Sequence, residues 1–167
     1  GLTIFSSPFD KTAIDLLEDL NAPAYKIASC EIIDIPLVRY AASTKKPLII
    51  STGMANIEEI EEAVAACREQ GNENIALLHC VSGYPTPEDS YNLNAIRTLK
   101  NHFNFVTGLS DHTISNTVAL TSIGVGASIV EKHFTLDRSD GGPDDSFSLE
   151  PSDLKQLCND LTVSWKS

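Results

Sequence analysis

Residues 47–80, PLIISTGMANIEEIEEAVAACREQGNENIALLHC, read as a strand, a helix and a second strand. Two short apolar runs, Pro47 to Ser51 and Ile75 to Cys80, flank a stretch with helical period. Asn56 with Glu59 three residues later makes a capping box, so the helix starts there. Ile57, Ile60, Val64 and Cys67 then share one face, and Gly71 can close the helix in the left-handed conformation. A strand, a helix and a strand in that order form the crossover unit of a parallel sheet.

The same alternation runs outward in both directions. Strands are expected at Leu2 to Phe5, Ala24 to Ala28, Phe105 to Leu109 and Ser128 to Lys132, which brings the count to six. Asp10 precedes the helical spacing of Ala13, Leu16, Leu17 and Leu20, and Pro36 sits in a first turn ahead of Leu37, Val38 and Ala41. Further helices are expected at Leu93 to His102 and Ser115 to Val125, and from Pro151 with Leu154, Leu157, Cys158 and Leu161 aligned. A doubly wound sheet would advertise a glycine-rich turn after its first strand, yet neither G-x-G-x-x-G nor a Walker A sequence occurs. The expected class is therefore α/β, a (β/α) barrel of parallel strands. Its long connections, Val81 to Asn92 and Phe134 to Glu150, follow the C-terminal ends of strands, where such folds carry their chemistry.

The composition agrees with one globular domain of 167 residues: 42% are apolar and 21% charged. Twelve Lys and Arg against 23 Asp and Glu give a formal charge of −11. That excess repels phosphate backbones and anionic lipid, so neither nucleic acid nor a membrane is an expected partner. No apolar run approaches the ~20 residues that span a bilayer, and no export signal is visible, so a soluble cytoplasmic protein is expected. Cys30, Cys67, Cys80 and Cys158 form no C-x-x-C pair, which suits reduced thiols. Cys67, Cys80 and Cys158 read as small core residues.

Chemistry-bearing residues collect at the strand ends. Ser110 and His112, two apart in Gly-Leu-Ser-Asp-His-Thr, share a face if the strand extends that far, and Val-Glu-Lys-His ends in His133. Parallel neighbours lie about 4.8 Å apart, so two imidazoles at matching heights can share a divalent ion while leaving positions for water and substrate. The alternative is that each is a hydrogen-bonded strand-end histidine. Lys26 lies inside an apolar strand and should meet an anion or a carboxylate, either a phosphate or a neighbour such as Glu31. Ser29, Ser51 and Ser110 could add donors. Glu31 is a candidate general base or a surface carboxylate, Asp144 a sugar ligand or a turn residue, and Tyr84 a stacking platform or loop packing.

Seven segments in order then carry a resemblance: Ser-Pro-Phe-Asp (7–10), Tyr-Lys-Ile-Ala-Ser (25–29), Ser-Thr-Gly-Met (51–54), Leu-Leu-His-Cys (77–80), Tyr-Pro-Thr-Pro (84–87), Gly-Leu-Ser-Asp-His-Thr (108–113) and Glu-Lys-His-Phe-Thr-Leu (131–136). Together they resemble the sialic acid synthase family, whose members make nine-carbon nonulosonic acids. The resemblance implies metal-dependent condensation of phosphoenolpyruvate with the open-chain aldehyde of an N-acetylated amino sugar. It implies that His112 and His133 hold a divalent ion, Mn²⁺ first, with Mg²⁺, Fe²⁺ or Zn²⁺ as alternatives. It further implies that Ser7, Lys26, Ser29, Ser51 and Ser110 bind phosphoenolpyruvate, that Tyr84 and Asp144 face the sugar, and that Glu31 handles a proton. The loop at 137–151 looks more like pseudaminic acid synthases than N-acetylneuraminate synthases.

The chain begins at what resembles the third of eight barrel strands and carries nothing resembling the family's antifreeze-like C-terminal domain. The resemblance thus implies a partial TIM barrel of about six parallel strands, a single truncated domain over 1–167, with two open edges through which a homo-oligomer could form. Rival expectations are an N-acetylneuraminate or legionaminate synthase, a non-catalytic binding or assembly module, and another metal-dependent aldolase.

Overall fold

Asp10 opens the first helix by accepting the Ala13 amide on its side chain at 2.8 Å, as its place before the apolar spacing requires. The computed structural model describes residues 1–167, which form two compact units, Gly1–Leu78 and His79–Ser167. The first unit runs α1 (Lys11–Asp19), β1 (Tyr25–Ile27), α2 (Ile35–Ser43), β2 (Leu48–Ser51), α3 (Ile57–Glu69) and then β3 (Ile75–Cys80), whose last two residues open the second unit. Both halves of the expected capping box form: Glu59 N–H donates to Asn56 Oδ1 at 2.9 Å, and Asn56 N–H donates to Glu59 Oε2 at 2.8 Å. Asp34 caps α2 through the Leu37 amide, with Pro36 in the first turn, where its missing N–H costs nothing.

β1 and β2 pair in parallel with Lys26 beside Ile49, and β2 and β3 pair with Ser51 beside Leu78. Side chains alternate between faces, and the Tyr25 hydroxyl donates to Glu18 of α1. Tyr25 and Ile27 therefore belong to the helix-covered face and Lys26 to the other. Tyr25, Ile27, Leu48, Ile50 and Leu77 are fully buried, as are Ile14, Val38 and Ala41 from the helices. Each such aliphatic or aromatic side chain contributes about 1.5–3 kcal/mol by leaving water.

The second unit continues through α4 (Asn94–Phe103), β4 (Val106–Asp111), α5 (Thr117–Gly124), β5 (Ile129–Lys132) and α6 (Pro151–Lys166). β4 and β5 pair in parallel, with Ser110 beside Glu131 and Asp111 beside Lys132. Tyr91, Ile96, Leu109, Val118 and Ala127 form one apolar cluster, and Ala119, Leu149 and Leu157 another under α6. The connection from β5 to α6 leaves and returns at one place, where Phe134 bridges Leu149. Arg138 anchors it by donating to the Ser148 carbonyl at 2.8 Å and to Asp153 of α6 at 2.6 Å.

Five strands hydrogen-bond in chain order, each followed by a helix, and the fold is a partial (β/α) barrel. The expected strand at Leu2 to Phe5 does not form. Only Ser6 bridges Tyr25, accepting the Lys26 amide at 3.1 Å, while Leu2 and Ile4 stand 96% and 81% exposed. A parallel strand is held by burial on both faces, and these side chains have cover on neither. Cys67 and Cys80 are buried as expected, but Cys158 is exposed, because α6 turns Leu157 inward and places the next residue outside the narrow apolar stripe.

Candidate functional site

In the first unit the polar groups gather at the C-terminal ends of β1 and β2. Lys26, though almost fully buried, donates its ammonium to Ser51 Oγ at 2.8 Å. Ser29, just past β1, accepts the Gly53 amide on its hydroxyl at 3.1 Å, and Thr52 sends its own hydroxyl to the Leu78 carbonyl at 3.1 Å. The bridge at Ser6 brings the half-buried Ser7 level with Lys26. An ammonium, hydroxyls and a turn of backbone amides are the donors that recognise a phosphoryl or carboxylate group. Glu31 supplies a contrasting feature, since its Oε2 is buried without a hydrogen-bond partner. A carboxylate oxygen held dry in this way is poised to accept a proton or to hold a water.

In the second unit the alternation on β4 and β5 puts Ser110, His112, Glu131 and His133 on one face. The imidazoles of His112 and His133 lie 5.3 Å apart between ring centres, at 69° to one another. The nitrogen Nδ1 of His112 meets the Val81 carbonyl at 2.8 Å. A carbonyl only accepts, so Nδ1 carries the proton and Nε2 keeps the lone pair. His133 Nδ1 lies 3.4 Å from Asp144 Oδ2, an ion-pair distance when the ring is protonated. His112 thus turns Nδ1 to a backbone carbonyl and presents Nε2 to the site, where Ser110 Oγ lies 3.5 Å away; a carbonyl on the far nitrogen is an arrangement that orients metal-binding imidazoles. Burial pushes His112 below the ordinary histidine range, against the pull of the Val81 carbonyl, and the neighbouring His133 adds to the drop. The neutral ring, the form that ligates metal, is favoured.

Two facing imidazoles are donors suited to a divalent ion, while no group of three His, Cys, Asp or Glu side chains comes together here as a ligand set. Tyr84 lies over His112 with ring centres 4.3 Å apart, and Phe147 stands 5.1 Å from His133. Ser110 donates to Glu131 Oε1 at 2.8 Å. Beneath them the buried Tyr91 accepts the His112 amide on its hydroxyl at 2.6 Å, while its own carbonyl meets His79 Nε2.

Lys26 meets Ser51 and Ser29 meets Gly53 in the first unit, and Ser110, Tyr84 and His133 neighbour His112 in the second, with Asp144 beside His133. His102 is a solvated helix-end residue. Sequence reasoning overlooked Glu131 and Phe147. Glu131 was detectable, because two-residue alternation from His133 places it on the same face. Phe147 was not, since its position depends on the fold of a long loop.

The NeuB family model matches residues 1–167. The chain is 45% identical over 163 residues to the pseudaminic acid synthase of Helicobacter pylori, covering 98% of this chain and 48% of that protein. It is 43% identical over 163 residues to the N,N'-diacetyllegionaminic acid synthase of Campylobacter jejuni, covering 96% and 49%. The crystal structure of the spore coat polysaccharide biosynthesis protein SpsE from Bacillus subtilis superimposes with a TM-score of 0.93 at 37% identity, over 98% of this chain and 46% of that one. The chain spans about half the length of the curated relatives it matches.

Proposed function

Because the chain belongs to the NeuB family, we propose that it forms the metal- and phosphate-binding part of a nonulosonic acid synthase, joining phosphoenolpyruvate to an N-acetylated amino sugar. The observation that carries this reading is the pair of facing imidazoles, His112 oriented by the Val81 carbonyl on Nδ1 and His133 standing beside Asp144. His112 and His133 would hold the divalent ion, with Mn²⁺ the first choice and Mg²⁺, Fe²⁺ or Zn²⁺ the alternatives. When bound, that ion supplies Lewis-acid polarisation of the sugar's aldehyde oxygen.

The residues of the chain divide the remaining work. Lys26, Ser29, Ser51, Ser110 and Ser7 neutralise and orient phosphoenolpyruvate so that its C3 faces the aldehyde carbon. A carbon–carbon bond forms there, water adds at C2, and the C2–O bond to phosphate breaks. Glu31 takes the proton of that water on its buried oxygen, and Lys26 stabilises the departing phosphate. Tyr84 and Asp144 position the sugar chain. The pseudaminic-type loop at 137–151 favours 2,4-diacetamido-2,4,6-trideoxy-altrose as the acceptor over the precursors of N-acetylneuraminate or legionaminate.

Two measurements test the proposal. Mn²⁺ titrated into the wild-type chain and into His112→Ala should bind the first and not the second; equal uptake by both removes the metal centre. A Helicobacter pylori synthase whose corresponding residues are replaced by these 167 should release phosphate from phosphoenolpyruvate only when an N-acetylated sugar is present. A folded chimera that releases none with any such sugar removes the synthase reading.

A further inference from the structure

Behind the two histidines lies a second pair of residues, bonded to each other and to the chain around them. Asp111 and Lys132 sit side by side in the β4–β5 ladder, one residue before His112 and His133, and therefore on the opposite face. Their charged groups meet at 2.9 Å with side chains only 0% and 4% exposed. The ammonium also donates to the Thr113 carbonyl at 2.8 Å and the Ser115 carbonyl at 3.0 Å, so all three of its N–H groups are used. Asp111 Oδ1 in turn accepts the Thr113 amide at 2.9 Å.

A buried ion pair contributes little to stability over apolar residues of the same volume, so stability is a poor account of its presence. Its geometry suggests another role. Regular pairing stops at Asp111 and Lys132, and both histidines lie just beyond it. The contacts of Lys132 span the residues on either side of His112, fixing the backbone that aims its ring at Val81.

We propose that Asp111 and Lys132 are a positioning pair, a buried clasp that holds the chain around His112 so that its Nε2 converges with that of His133 on one divalent ion. The inference rests on the metal-centre reading above. The test is the isosteric double variant Asp111→Asn/Lys132→Met, which removes both charges together and keeps the net charge. Two quantities are read at a temperature well below its melting point: Mn²⁺ affinity by titration, and the ¹⁵N spectrum of His112, which reports the Nδ1–H tautomer. The clasp predicts Mn²⁺ affinity reduced about 10- to 100-fold, the range for lost outer-shell partners, and a His112 spectrum that shifts toward a mixture of tautomers.

A folded double variant with wild-type affinity and spectrum overturns the proposal. So does weaker binding with an unchanged spectrum, which would trace to charge and not to ring placement. If wild type binds no Mn²⁺ yet the spectrum shifts in the double variant, the metal reading fails and the clasp stands. Should the double variant not fold, Lys132→Arg, which keeps the charge but not the three-way fit, is read by the same spectrum. A shift supports the clasp, and no shift overturns it.

Discussion

His112 donates its Nδ1 proton to the carbonyl oxygen of Val81 at 2.8 Å, so a backbone group of one connection settles which nitrogen of a strand-end histidine carries the proton. Replacing the ring by a side chain with no lone pair should remove the site without removing the fold. His112→Ala is expected to lose Mn²⁺ affinity by at least tenfold, read by titration, while far-ultraviolet circular dichroism stays that of the wild type.

Lys26 separates binding from stability. Lys26→Met keeps the length of the side chain and discards the charge, so the cost of burying an ammonium disappears. Its melting temperature should equal or exceed that of the wild type. Phosphoenolpyruvate affinity, measured by calorimetry, should fall about 10- to 100-fold, as loss of a charged hydrogen bond worth about 1.5–3 kcal/mol implies. A fall in stability with unchanged affinity would assign Lys26 to structure.

The buried histidines set the acid limb of stability. Burial pushes His79 below its ordinary 6.5, and His112 shifts the same way, so the unfolded chain binds protons before the folded one does. Their contribution is complete above about pH 6.5 and is lost as pH falls from there through the depressed folded values. Melting temperature should therefore drop between pH 7 and pH 5. His79→Gln, which retains a donor for the Tyr91 carbonyl, should make that drop smaller, and an equal drop in both proteins would contradict the assignment.

Cysteine reactivity gives a check on packing. Burial holds the Cys67 thiol up at about 11, and Cys80 is buried too, whereas Cys30 and Cys158 are exposed. Iodoacetamide at neutral pH should modify Cys30 and Cys158 in the native protein and reach Cys67 and Cys80 only on unfolding, as mass spectrometry of peptides would show.

Local signals were sufficient wherever the chain states its structure over a few residues. Asn56 and Glu59 announce α3, and Asp10 and Pro36 announce α1 and α2, because caps and first turns depend on neighbours three residues apart. Leu2 to Phe5 misled for the opposite reason. Its β-forming side chains meet the local requirement for a strand, but pairing needs burial that only distant residues provide. At the site, the spacing of Ser110 and His112 was legible because strand alternation is local. The Val81 carbonyl and the partnership of Asp144 with His133 were not, since both come from long connections whose paths depend on tertiary packing.

The bridge between Phe134 and Leu149 gives the last loop two feet planted at the same spot. What happens between them need not propagate into either strand or helix, because Arg138 ties the base to Asp153 independently of the tip. At that tip Gly141 takes a φ of +79°, and a β-carbon on Gly142 would come within 2.7 Å of the Asp145 carboxylate, so this turn tolerates few side chains. The segment is therefore an insert on a fixed base: exchanging Asp144 or Phe147 at its far end would alter the surroundings of the His133 ring while the strand and helix it springs from stay tied.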